Sequence, residues 1–396
     1  MKVFWCDNCG QLVFFENSQC VTCGCNLVFV PDAMAMRSFR LSAIDPATGA
    51  LDTDKDWKVC ANYRQHDICN WGVPVADSNP LCRSCRLTRV IPNLDVPENV
   101  VRWFRLEGAK RRLLYTLMTL KLPIEGKAGP TDENGLAFEF LADPTPDAAT
   151  VMTGHMHGTI TVSAAEADDA ERERRRTLLN EPYRTLLGHM RHEVGHYFWD
   201  RLVRDNDRVE KFRSVFGDER ADYSAALQQY YSAPPSLAWQ NGFVTSYASA
   251  HPWEDWAESW AHYLHIWDVL ETAGHAGLRL RPKLKEVPSV KIEPPDPGSP
   301  PSFDQMIADW FPLTYVINNL TRGLGQPDGY PFVLSLPAVE KLRFIHETVA
   351  EFAASGGEPA ASSTTGAASP VPGSAGTVPS TTGETPVPVS PAAAKR

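Results

Sequence analysis

All nine cysteines of this 396-residue chain lie at or before residue 85. Cys6-x-x-Cys9 and Cys20-x-x-Cys23 are two tight knuckles ten residues apart, a spacing that aims four thiolates at one tetrahedral ion. Cys82-x-x-Cys85 is a further knuckle, and Cys60 with Cys69, whose own spacing is not a knuckle, could complete a second four-cysteine site with longer arms. Cys25 is left over and reads as a spare buried thiol. The opening MKVFWCDNCG lacks the apolar run of a signal peptide, and no stretch approaches the ~18 apolar residues of a membrane span. A cytoplasmic, reducing setting is the expectation, and there clustered cysteines are metal ligands rather than disulfides. A zone this small cannot bury a large core, whereas structural zinc supplies on the order of 10 kcal/mol of apparent folding free energy.

The net charge of -10 speaks against a chain that grips phosphate backbones or anionic membranes. Zinc ribbons also bind nucleic acid, but residues 1–95 carry nine Lys or Arg against ten Asp or Glu, so no basic excess supports that use. Trp5, Phe14, Phe15 and Phe29 suit protein contact or packing against the rest of the chain.

Three compositional zones follow: 1–95, cysteine-bearing; 96–355, dominated by helical periodicity; and 356–396, a Pro/Ala/Ser/Thr-rich stretch expected to be a disordered tail. In the middle zone, helices are expected over Val100–Leu120, Tyr183–Val203, Arg220–Tyr231, Trp253–Ala273, Phe303–Leu320 and Ala338–Phe352. The first has a basic face, Arg105, Lys110, Arg111 and Arg112, expected to be solvated. Glu286–Pro301 reads as a Pro-rich surface loop, and Gly158–Ser163 as a strand.

The chemistry sits in His192-Glu193-Val194-Gly195-His196. Histidines four apart on a helix project from one face and reach the same ion, and Glu193 beside them can serve a metal-bound water. Zinc lowers the pKa of its water to about 7 and polarises a carbonyl, while a carboxylate takes and returns the proton. Gly195 lets another segment approach closely, and Tyr197-Phe198-Trp199 continues as a buried face. A hydrolytic zinc site needs a third protein ligand. Downstream, Glu254 and Glu258 stand four apart on a helical run, and either can be that ligand with the other supporting it. His189, His251, His262 and His265 have ordinary packing or capping readings, and Asp218, Glu219, Arg220 and Asp222 read as an ion-paired helix start.

The segment Ser246-Tyr247, six residues, Glu254, three residues, Glu258 resembles the zincin domain of anthrax lethal factor. That resemblance implies Glu254 as third ligand, Glu258 as acceptor of a hydrogen bond from a ligating histidine, and Tyr247 as an oxyanion-stabilising helper. Over most of residues 1–350 the chain looks like the bacterial family of zinc-binding metallopeptidases with an N-terminal zinc ribbon, on the double cysteine cluster, CNWGVPVADSNPLCRSCRL, GTITVSAAEADD, HEVGHYFWD, FGDERADY and HPWEDWAESWAHYLH. The reading of Cys60 and Cys69 as partners of Cys82 and Cys85 rests in part on this family resemblance. In zincins an edge strand above the active helix pairs with extended substrate, and Gly158–Ser163 is placed in sequence to be that strand.

The expected protein is therefore α+β: a zinc-ribbon module, then a mostly helical zincin-like domain of gluzincin type with a small sheet. It would hold one catalytic and two structural zinc ions and hydrolyse a peptide or protein substrate, with no nucleic-acid or membrane partner. The alternative is a non-catalytic zinc-binding module that binds a protein partner.

Overall fold

The computed structural model describes residues 1–51, 54–129, 131–143, 151, 153–178, 181, 183–234, 236–283, 289–295 and 303–355. The expected tail, 356–396, and most of the Pro-rich stretch lie outside them.

The cysteine-bearing region is built from short antiparallel pairs. Phe4–Trp5 pairs with Leu12–Val13, and Asn26–Val30 pairs with Ala35–Phe39. A three-stranded sheet joins Ala50–Leu51, Asp54–Val59 and Gly72–Pro74. The knuckles fall at the turns between these strands, where the chain reverses and thiols from both sides can converge. Thr88–Val90, at the end of this region, leaves it to join a second sheet, pairing in parallel with Ala137–Leu141.

That second sheet corrects one expectation. Its order is Gly154–Met156, Thr159–Ser163, Ala137–Leu141, Thr88–Val90. Thr159–Ser163 is hydrogen-bonded on both sides, so its backbone groups are not free to receive a substrate. The edge beside it is Gly154–Met156, folded back by a tight turn in which His157 and Gly158 both take positive φ.

Helices Pro97–Thr119, Leu186–Trp199, Pro252–His275, Phe303–Gly323 and Leu336–Ala354 make up most of the rest, each within a few residues of its expected span. Tyr223–Ser232 starts three residues later than expected, because Asp222 caps it by accepting from Ala225 N at 2.9 Å. The Leu186–Trp199 helix, which carries the two histidines, begins at a similar cap, Thr185 accepting from Gly188 N at 3.0 Å. Within the Pro-rich stretch Val290–Lys291 forms a short strand against Arg279–Leu280.

The histidine helix packs against Pro252–His275 at the centre of the core. Gly195 is a point of close approach: a Cβ there would stand 3.0 Å from Ala257 Cα. Trp256 Nε1 donates to the Gly195 carbonyl at 2.8 Å, and Trp260 stacks on Phe198 with ring centroids 5.0 Å apart. Truncating such a buried aromatic typically costs about 3–5 kcal/mol.

The Pro97–Thr119 helix lies between the cysteine-bearing region and Pro252–His275. Its Tyr115 meets Phe4, Phe15 and Phe29 edge-on or tilted and donates to Glu271 Oε1 at 3.0 Å. Phe15 and Phe29 are thus packing residues, whereas Trp5 and Phe14 are exposed. The expected solvated basic face is half wrong. Arg105 is exposed, but Lys110 is fully buried in an ion pair with Glu107 at 2.9 Å, and buried Arg111 donates to the Ile68 carbonyl at 2.7 Å. Desolvating those cations is tolerable because each has a partner. Among the described residues no helix is long and apolar enough to cross a membrane.

Candidate metal centres

Cys6, Cys9, Cys20 and Cys23 converge on one point, and Cys60, Cys69, Cys82 and Cys85 on another. Cys6 Sγ lies 3.7 Å from Cys23 Sγ, Cys9 from Cys20 at the same distance, and Cys69 from Cys82 likewise. Sulfurs bound tetrahedrally to zinc at about 2.3 Å stand about 3.8 Å apart, so both sets fit the ion. Backbone amides complete the second site: Cys82 N points at Cys60 Sγ, Trp71 N at Cys69 Sγ and Cys85 N at Cys82 Sγ, at 3.3–3.4 Å. Burial holds the Cys82 thiol well above its ordinary pKa, with the three neighbouring cysteines adding to the effect. A cation bound among four buried thiols so placed would stabilise them as thiolates, their protons passing to solvent. Cys25 is buried but outside the cluster.

The third convergence is His192, His196 and Glu254. The i, i+4 spacing brings the two Nε2 atoms to 3.2 Å. Glu254 sits in the first turn of Pro252–His275, where Pro252 opens the helix and His251 Nδ1 accepts from Trp253 N at 3.1 Å. Its Oε2 lies 3.1 Å from His192 Nε2 and 3.6 Å from His196 Nε2. Ligand atoms held tetrahedrally at about 2.0–2.1 Å from zinc are about 3.3–3.4 Å apart, close to this triangle. Glu254 is 1 % exposed and its Oε2 makes no hydrogen bond of good geometry, so a cation would satisfy a buried atom that otherwise lacks a full partner.

The surroundings orient these atoms. His192 Nδ1 donates to Glu258 Oε1 at 2.6 Å, leaving Nε2 free to face the cluster, and Thr245 Oγ1 donates to Glu258 Oε2 at 2.6 Å. The His196 ring lies 3.9 Å from that of Trp253, centroid to centroid. Glu193 is buried next to the triangle, and burial raises its pKa above the usual carboxylate value although His192 and His196 oppose the shift. Tyr247, in a single helical turn Tyr247–Ser249, packs its ring 5.9 Å from that of His192.

The other histidines take the plain roles. His189 faces Glu166 at 3.5 Å, His251 caps a helix, His262 bonds the Tyr330 hydroxyl at 2.6 Å, and His265 lies 2.6 Å from an Arg191 nitrogen. Asp218 pairs with Arg220 and Glu219 with Arg213. Two residues beside the site had not been singled out in the sequence: Thr245, and Tyr223, whose hydroxyl donates to Glu254 Oε1 at 2.6 Å.

A thiolate-rich region followed by a helical part that gathers two histidines and a glutamate is the layout of a zinc-binding metallopeptidase. The chain belongs to the family described as "Putative zinc-binding metallo-peptidase", whose model matches residues 99–348, and a zinc-ribbon domain model matches residues 3–96. It is 42% identical over 361 residues to an uncharacterized protein of Mycobacterium tuberculosis and to one of Mycobacterium bovis, an alignment covering 91% of this chain and 98% of each of theirs. No solved structure matches the chain. The likeness to the lethal-factor zincin domain therefore rests on the sequence alone, the Ser246–Glu258 spacing together with the His192–His196 motif.

Zinc analysis of the intact chain should give about three ions, two on thiolates and one more readily removed by chelator. Cys60→Ser should lower the thiolate count by one. A single ion that survives this substitution would overturn the second four-cysteine site.

Proposed function

We propose that the chain hydrolyses peptide bonds with water activated at His192, His196 and Glu254. The observation that carries this reading is the near-tetrahedral triangle of Nε2, Nε2 and Oε2 with buried Glu193 adjacent in sequence to one of its corners. Zinc bound there would lower the pKa of its water to about 7 and polarise the scissile carbonyl.

The chain's own groups do the rest. Glu193 takes the proton of the attacking water and returns it to the leaving amine, and a carboxyl whose pKa burial has raised is suited to both transfers. Glu258 holds the His192 ring in one tautomer and orientation, and Thr245 holds Glu258. Tyr247 donates to the oxyanion as the carbonyl becomes tetrahedral. The edge strand Gly154–Met156 receives extended substrate by β-addition; it lies on the site's side of the sheet, His155 stacking over His196 with centroids 6.3 Å apart. The substrate is a peptide or protein, and the ribbon side adds a surface for protein contact: Trp5, Leu12, Phe14 and Val21 are all well exposed.

The test is metal-dependent cleavage of a peptide library by the intact chain, abolished by chelator and restored by zinc. Tyr247→Phe should keep the zinc content and lower turnover by a factor matching about 2.7–4 kcal/mol in the barrier, the usual cost of one oxyanion donor. Wild-type turnover in that variant would reduce Tyr247 to a packing residue.

A further inference from the structure

The segment Phe216–Tyr223 has no task in the reaction just described, yet it touches the start of the Pro252–His275 helix at three successive points. Gly217, with φ 101°, lies against Pro252, where an added Cβ would meet Pro252 Cγ at 3.3 Å. The Ala221 carbonyl accepts from His251 Nε2 at 3.1 Å, and the other nitrogen of that ring caps the helix by accepting from Trp253 N. Tyr223 is 5% exposed; its ring stands edge-on to His251 at 5.2 Å and to Trp253 at 5.9 Å. At the end of this row its hydroxyl donates to Glu254 Oε1 at 2.6 Å. Phe216 anchors the other end, packing on Trp256 and Phe344.

The two oxygens of Glu254 therefore have different surroundings. Oε1 is occupied by a phenol, and Oε2 faces the two imidazoles. A carboxylate can bind a cation through one oxygen or both. Both oxygens together with two imidazoles and a water would make five ligands, whereas a hydrolytic zinc site at rest holds three protein ligands and a water. We propose that Phe216–Tyr223 is a positioning element for the third ligand, in which Tyr223 ties up Oε1, restricts Glu254 to one-oxygen ligation and so holds the site at four ligands, one of them water. Phenylalanine at 223 would fill the same space but free Oε1, and the carboxylate could then turn both oxygens to the ion. This inference rests on the reading of His192, His196 and Glu254 as the zinc site.

The experiment uses the full chain with its thiolate sites loaded. The histidine site is titrated with zinc against a chromophoric chelator and, separately, filled with cobalt(II) and read by its visible absorption, which weakens as coordination number rises. Tyr223→Phe should melt as a folded protein, bind zinc about 10–100-fold more weakly, the usual effect of removing a ligand's hydrogen-bond partner, and show weakened cobalt bands. Because the hydroxyl acts through the carboxylate, Tyr223→Phe combined with Glu254→Gln should bind no more weakly than Glu254→Gln alone. Wild-type affinity and cobalt bands in Tyr223→Phe, or additive losses in the double variant, overturn the proposal. Should Tyr223→Phe not fold, Gly217→Ala strains the same segment away from the carboxylate; it should weaken the cobalt bands too, and unchanged bands would count against the proposal. Undiminished affinity in Glu254→Ala would instead overturn the zinc-site reading itself.

Discussion

Glu254→Ala is expected to empty the histidine site of zinc, while Glu258→Ala retains the site with affinity lowered about 10–100-fold. The two carboxylates stand one helical turn apart, and their surroundings separate them. Glu254 Oε2 is within 3.1–3.6 Å of both imidazole Nε2 atoms. Glu258 reaches the far side of His192, accepting from Nδ1 at 2.6 Å, with Thr245 on its second oxygen. Losing the first removes a ligand; losing the second frees a ring to rotate. Zinc titration of both variants, with the thiolate sites monitored separately, decides the matter. Full loss in Glu258→Ala beside near-normal binding in Glu254→Ala would exchange the two roles.

Glu193→Gln should lower peptide turnover by a factor of about 10²–10⁴, the usual share of a general acid–base, and leave zinc content unchanged. Glutamine keeps the volume and can still hydrogen-bond a water but cannot accept its proton. Turnover at the wild-type rate in this variant would remove Glu193 from the reaction, and failure of the wild-type chain to cleave any peptide in a metal-dependent way would leave the chain a zinc-binding module without hydrolytic action.

Much of this site could be read before the fold. Knuckle spacing brings cysteines together locally, and two histidines four apart share a helix face whatever surrounds the helix. Glu254 needed more, since spacing alone leaves Glu258 equivalent, and the choice came from the resemblance together with the deeper place of Glu258 in the apolar run Trp256, Ala257, Trp260, Ala261. The features that escaped depend on distant partners. Thr159–Ser163 reads as a strand from its own alternation, but its place inside the sheet depends on Ala137–Leu141, some twenty residues earlier, and on the Gly154–Met156 strand folding back over it. Lys110 lies on a face that counts as basic and solvated until Glu107 closes over its charge and the Phe138 and Phe140 rings come within 5.6 Å. Tyr223 is 31 positions from the carboxylate it holds, and no local pattern marks such a pair.

The contact at Gly195 bears on how the site meets its ion. Because the histidine helix and the Pro252–His275 helix touch nearly main chain to main chain there, the gap between the imidazoles and Glu254 is set by two rigid rods and not by the reach of long side chains. The thiolate sites are different in kind: their ligands come from turns and short strands that a small core cannot hold by itself, so ion and fold arrive together. Zinc entering among the helices, as proposed, would find a finished socket with little chain entropy left to oppose it. If the proposed sites hold zinc, starvation for the metal would divide the molecule by how each ion is held, emptying the helical half reversibly with its shape intact while the ribbons keep theirs until depletion runs deep.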